Sequence, residues 1–177
     1  MILLSLLFAL SPAYAVDTAQ STIKYSVTHK LHRVDATSAQ VEGKAVVRAG
    51  GEILAEVRAP VMSFRSGDGN RDEHMDEVMN AGSHPLVIFK GIARLGPDGQ
   101  LPSGPLRMDG QVELHGVKRP YRVELTVTPQ PDGSLRVKGA FDVSLDAHGI
   151  ERPSLLFVKV DDACHLDVDL RLREVKP

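Results

Sequence analysis

Cys164-His165-Leu166-Asp167-Val168-Asp169-Leu170-Arg171-Leu172-Arg173 sets an apolar side chain at every even position and a polar or charged one at every odd position. Successive side chains of an extended chain point to opposite faces, so this stretch reads as a strand with one buried and one solvated face. A helix would scatter the same residues around its circumference, because its period is about 3.6. The alternation recurs along the chain. It runs through Ile23-Lys24-Tyr25-Ser26-Val27, then Ile53, Ala55, Val57, Ala59 and Val61, then Val87, Phe89, Gly91 and Ala93. It continues in Leu106, Met108, Gly110, Val112 and Leu114, and in Tyr121, Val123, Leu125 and Val127. Leu135, Val137, Gly139, Phe141 and Val143 form one more set. Shorter strands are expected over residues 41–47 and 156–160, for a total of about eight or nine.

Turn residues separate these segments: Ala49-Gly50-Gly51, Gly96-Pro97-Asp98-Gly99 and Pro131-Asp132-Gly133. They supply fixed or positive φ between strands. Connections this short join antiparallel neighbours, since parallel ones need long crossovers. An all-β antiparallel sheet results. Periodicity alone allows either a closed barrel or a sandwich. One short helix interrupts the pattern. Asn70 is its expected N-cap, Glu73 sits at the reciprocal capping-box position, and Gly82 is placed to end it. Met75, Val78 and Met79 share one face at helical spacing.

The chain has 177 residues, enough for one domain with a sizeable core. Its net charge of -2, with acids and bases interspersed, argues against a nucleic-acid partner. Cys164 is the sole cysteine, so no intrachain disulfide can form. At the N-terminus an apolar run over residues 2–10 is broken only by Ser5 and followed by Pro12 and Ala13-Tyr14-Ala15. That order predicts a secretory signal peptide over residues 1–15, although no Lys or Arg precedes the run. The run falls short of the roughly 20 apolar residues a membrane-spanning helix needs. The domain expected after it covers residues 20–175, does not span a membrane, and is periplasmic or secreted.

A search for reactive constellations returns little. His29 and His32 lack a neighbouring third ligand, and His74 lies far off in sequence. Asp68-Gly69-Asn70-Arg71-Asp72 begins like a calcium loop, but Glu73 stands where Gly is needed and Met79 where a bidentate Glu is needed. Cys164 alternates inward with Leu166 and Val168, as a small core residue would. Neither a Gly-x-Ser-x-Gly elbow nor a phosphate loop is present. No catalytic residue, metal ligand or cofactor is expected.

Three ordered segments carry a family resemblance. Ser63-Phe64-Arg65-Ser66-Gly67-Asp68-Gly69-Asn70-Arg71-Asp72-Glu73-His74-Met75 resembles the helix-start motif of the YceI family, followed here by His84-Pro85-Leu86-Val87-Ile88-Phe89. Gly110-Gln111-Val112-Glu113-Leu114-His115-Gly116-Val117-Lys118-Arg119-Pro120 is similar to that family's hairpin, and Gly139-Ala140-Phe141-Asp142-Val143-Ser144-Leu145 to a later strand. Residues 28–38 depart from the pattern: the family more often places aromatic residues after the His, and here none occurs before Phe64. The chain reads as a divergent branch.

The resemblance implies an antiparallel, lipocalin-like β-barrel of about eight strands with one short inserted helix. It also implies a non-catalytic carrier or storage protein that binds a long-chain apolar lipid in the barrel: a polyisoprenoid, an isoprenoid quinone or a fatty-chain amide. The side chains expected to line such a pocket are Ile53, Val57, Val61, Val87, Phe89, Met108, Val112, Phe141, Val143, Leu166 and Val168, with Met75, Val78 and Met79 from the helix. Two alternatives compete with it. One is a metal-binding protein or metalloenzyme using His29, His32 and His74; the other is a solid-core interaction module. Monomer and homodimer are both open.

Overall fold

The computed structural model describes residues 12–30, 32–155 and 158–175. Strand β1 (Ala13–Val16) passes through a short helical turn into β2 (Thr22–His29), then β3 (His32–Ser38), β4 (Glu42–Val47) and β5 (Glu52–Pro60). Helix α1 (Gly69–Val78) follows. The chain returns to strand in β6 (Leu86–Arg94), β7 (Gly104–Leu114), β8 (Val117–Pro129) and β9 (Leu135–Ser144). A small hairpin, β10 (Ser154–Leu155) and β11 (Val158–Lys159), precedes the closing strand β12 (Ala163–Glu174).

All main-sheet pairings are antiparallel, and the sheet closes on itself. Its order is β1-β4-β5-β6-β7-β8-β9-β12-β2-β3, with β1 also paired to β12. Both β1 and β2 lie against β12, through Val16↔Leu172 and Val27↔Cys164. On their other side β1 meets β4 and β2 meets β3. The β1–β2 and β3–β4 segments therefore each act as one bent stave, which gives a closed barrel of eight. Closure leaves no long unpaired edge, and it selects the barrel over the sandwich.

The register explains the alternation that opened the sequence. Even-numbered residues of β12 meet inward neighbours such as Val143, Phe141 and Ile23, while His165 and Asp169 pair outward with Asp142 and Arg136. Phe89, Tyr121 and Phe141 pack against two of the buried clusters and form a belt at mid-height. Here Gly91 and Gly110 face each other across β6 and β7. A Cβ on Gly91 would come within 2.7 Å of the Phe89 ring, and one on Gly110 within 2.9 Å. The glycines give that ring its seat.

Several sequence expectations shift. Strand β3 was not anticipated because its inward residues are Val34, Ala36 and Ser38, too small or polar to mark an apolar face. The strand expected over residues 156–160 is instead the β10–β11 hairpin, and Leu156 and Phe157 lie outside the described residues. The N-cap of α1 is Asp68, not Asn70: its carboxylate accepts from the Arg71 N–H at 3.1 Å, which satisfies an orphan donor of the first turn. Asn80, at φ 47°, rather than Gly82, takes the left-handed position after the helix. The apolar run of the expected signal peptide lies outside the described residues, whereas Ala13, Tyr14 and Ala15 belong to β1.

Candidate functional site: an apolar cavity inside the barrel

The inward side chains do not fill the barrel. A cavity of about 200 Å³ remains, with walls from every long stave and a cover from α1. Every one of the fourteen side chains expected to line a pocket, from Ile53 to Val168 and including Met75, Val78 and Met79, stands on its wall. Sequence reasoning missed several more. Tyr25 and Phe64 flank the α1 end with ring centroids 5.5 Å apart, and Ile23 and Leu172 extend the wall away from the helix.

Asp72 and Asp76 also reach the cavity. Their signal was present: Asp72, Met75, Asp76 and Met79 follow the spacing of one helix face. Asp72 accepts from the Ser66 hydroxyl at 2.6 Å and the Ser66 N–H at 2.9 Å, and these bonds hold its carboxyl below the ordinary 3.8. Burial pushes Asp76 the other way, with Arg65 opposing and Asp72 and Glu73 adding. Burial also raises Tyr25 well above the ordinary phenol. A second, shallower cleft adjoins the cavity and shares Asp72 and Asp76 with it; Arg65, Gly67, Asp68, Gly69 and Glu73 complete its lining.

The remaining candidates are structural. Burial pushes the Cys164 thiol up to about 12, so it stays protonated and a poor nucleophile. His148 is fully buried and stacks on Tyr121 at an interplanar angle of 5°. Nδ1–H donates to the Val117 carbonyl at 3.0 Å, which leaves Nε2 of the neutral ring to accept from the Tyr121 hydroxyl at 3.1 Å, and Tyr121 Oη in turn accepts from the Ser144 N–H. Both ring nitrogens are thus engaged. The His29 and His32 rings lie 5.7 Å apart, with His29 Nε2 3.0 Å from the Val158 carbonyl, and His74 neighbours Glu77 on α1. Among the described residues no three His, Cys, Asp or Glu gather to hold a metal, so the three-histidine alternative has no geometric basis.

Among the described residues, a closed antiparallel barrel with an apolar interior and one capping helix has the architecture that the family resemblance implies. The YceI-like domain matches residues 14–172. The chain belongs to that family. No curated protein matches it. Among solved structures, a polyisoprenoid binding domain from Saccharophagus degradans implicated in plant cell wall breakdown superposes with a TM-score of 0.75 at 15% identity, covering 92% of this chain and 98% of that one. Burkholderia cenocepacia BcnA gives 0.74 at 16%, covering 88% and 98%. A Campylobacter jejuni YceI protein gives 0.64 at 12%, covering 85% and 90%. At these identities the likeness establishes the shared YceI-like fold.

Proposed function

We propose that this YceI-like protein binds a long-chain apolar lipid inside its barrel and carries or stores it without chemical change. The carrying observation is the cavity: it runs inside the barrel between walls that are almost wholly apolar. Water there gains few hydrogen bonds, while each Å² of buried hydrocarbon contributes roughly 25 cal/mol. A polyisoprenoid, an isoprenoid quinone or a fatty-chain amide offers such surface. The likeness to the Saccharophagus polyisoprenoid binding domain supports the first of these.

An organic extract of the purified protein, analysed by mass spectrometry, tests the reading. A stoichiometric lipid with a long hydrocarbon chain is the expected result. Absence of any lipid, together with failure to bind a neutral fluorescent apolar dye, would leave a solid-core module as the better account.

We also propose export to the periplasm or medium, on the strength of the leader-like pattern at residues 1–15. A cut after Ala15 would strip Ala13, Tyr14 and Ala15 from β1 and leave Lys44, Ala45 and Val46 of β4 without those partners. Cell fractionation with sequencing of the mature N-terminus locates the cut. Recovery of the intact chain from the cytoplasm alone would overturn the proposal.

A further inference from the structure

The cavity wall is apolar apart from Tyr14 and Lys44 on the β1–β4 wall and the patch that α1 covers. There Tyr25, Asp72 and Asp76 reach it. Asp72 is already committed to Ser66, through both its N–H and its hydroxyl. The Tyr25 hydroxyl and the Asp76 carboxylate make no hydrogen bond or ion pair with another described residue. A half-buried hydroxyl and a half-buried carboxylate stand open beside the same space, free to meet the polar head of a bound molecule. Their chemistry is complementary. Burial keeps the Tyr25 phenol protonated, so it can donate; an ionised carboxylate can only accept.

Charge narrows the choice further. The cleft that joins the cavity at Asp72 and Asp76 also carries Asp68 and Glu73, against Arg65 alone on its lining. Arg71, whose charge also reaches Tyr25, is paired with Asp68 at 3.8 Å. An anionic head placed there would lose its hydration and meet like charge.

Resting on the carrier reading above, we infer that the bound lipid has an uncharged head that both accepts and donates a hydrogen bond, an alcohol or a primary amide. It accepts from the Tyr25 hydroxyl and donates to the Asp76 carboxylate at the α1 end of the barrel. Phosphate and carboxylate heads are rejected. A quinone, which only accepts, is held less well than the matching alcohol.

The test is displacement of the neutral dye N-phenyl-1-naphthylamine by chain-matched competitors below their micelle concentrations. Geranylgeraniol is set against geranylgeranyl monophosphate, and oleamide against oleate. The alcohol and the amide should displace the dye at concentrations about tenfold or more below those of their anionic partners. Asp76→Asn should shrink that ratio about fivefold or more, by removing the repelling charge at the junction. Tyr25→Phe keeps the ring against Phe64 and should weaken the alcohol and the amide but not the phosphate. Asp98→Asn, in the β6–β7 turn at the opposite end, should leave the ratio as it was. Thermal melts of each variant confirm folding.

Equal displacement by all heads, tighter binding of the phosphate, or an unchanged ratio in Asp76→Asn would overturn the head assignment and leave the carrier reading standing. If neither dye nor any competitor binds, the carrier reading itself fails.

Discussion

The two ends of the barrel treat their polar side chains in opposite ways. At the end bounded by the β4–β5, β6–β7 and β8–β9 turns, polar groups are tied together. Arg171 donates to Gln130 Oε1 at 3.1 Å and to Asp132 at 3.0 Å, while Arg173 joins Asp17 at 2.7 Å and Asp132 at 3.3 Å. Asp132 also accepts from the Ser134 hydroxyl and N–H; Arg171 Nε is the one side-chain nitrogen or oxygen among the described residues that is buried without a partner. This clasp binds the closing strand to the β1–β2 junction and to the β8–β9 turn. At the α1 end, Tyr25 and Asp76 face the cavity unpaired. Polar groups that stay open to a cavity can meet the head of a bound molecule, and a recognition site has use for them. The difference assigns cohesion to one end and ligand choice to the other.

The wall between the ends serves both, so damage there should have the largest effect. Val112 is 2% exposed and packs in the cluster nearest α1. Val112→Asp buries a carboxylate in an apolar cluster, opposite an Arg119 that is already bonded to the Ala147 carbonyl, and should destabilise the barrel by about 3 kcal/mol or more. Denaturant melts of the purified variant measure it. Wild-type stability with intact dye binding would mean that the inner face has been assigned wrongly.

The clasp comes next. Arg171→Met keeps the stem of a side chain that is only 14% exposed and removes its bonds to Gln130 and Asp132. A loss of about 1.5 kcal/mol is expected, since Arg173 and Ser134 still hold Asp132. Dye affinity should not move. A variant of normal stability but altered lipid selectivity would break the division between the ends.

How much of this was legible in the sequence depended on residue size. Strands whose inward positions carry Val, Leu, Ile or Phe announced themselves: eleven of the fourteen wall residues sit at alternating positions, and Met75, Val78 and Met79 follow helical spacing. Strand β3 stayed silent because small Ala36 and Ser38 are its buried residues; the 63–65 segment bridges it at Thr37↔Arg65, and Ser38 Oγ lies 2.6 Å from Ser63 Oγ. The bend that lets β1 and β2 share β12 is a tertiary feature, written in the Asp17 N–H to Arg171 carbonyl bond rather than in any local pattern. At the site, the methionines of α1 stood out by hydrophobicity. Asp72 and Asp76 were passed over because acids on a helix normally face water.

Acid should separate the ends by pH. Burial lowers His148 below the ordinary 6.5, so the unfolded chain takes up the proton more readily than the folded one. Its contribution is fully present above 6.5 and is lost as pH falls through that value toward the depressed folded pKa, by at most about 1.4 kcal/mol per pH unit. At the clasp, hydrogen bonds from Ser134 and Arg171 hold Asp132 far below 3.8, so its contribution disappears only as pH falls below 3.8. Stability curves measured from neutral to strongly acidic pH should therefore descend in two windows. His148→Gln should erase the upper one and leave the lower. A single window near 4 in the wild type would show that His148 is not protected.

The smallest effect on stability is expected at Asp76. Its carboxyl is raised by burial, so the folded state favours the neutral form and its stabilising contribution is lost as pH rises through the folded pKa. At neutral pH the charge is therefore a slight burden, and Asp76→Asn should change stability by no more than about 0.5 kcal/mol, in the favourable direction. The same substitution is the one expected to weaken discrimination between alcohol and phosphate heads. A residue that matters little to the melt and much to the ligand is what the contrast between the ends requires. If Asp76→Asn instead costs as much stability as Arg171→Met, the carboxylate is part of the scaffold, and the α1 end differs from the clasp in degree only.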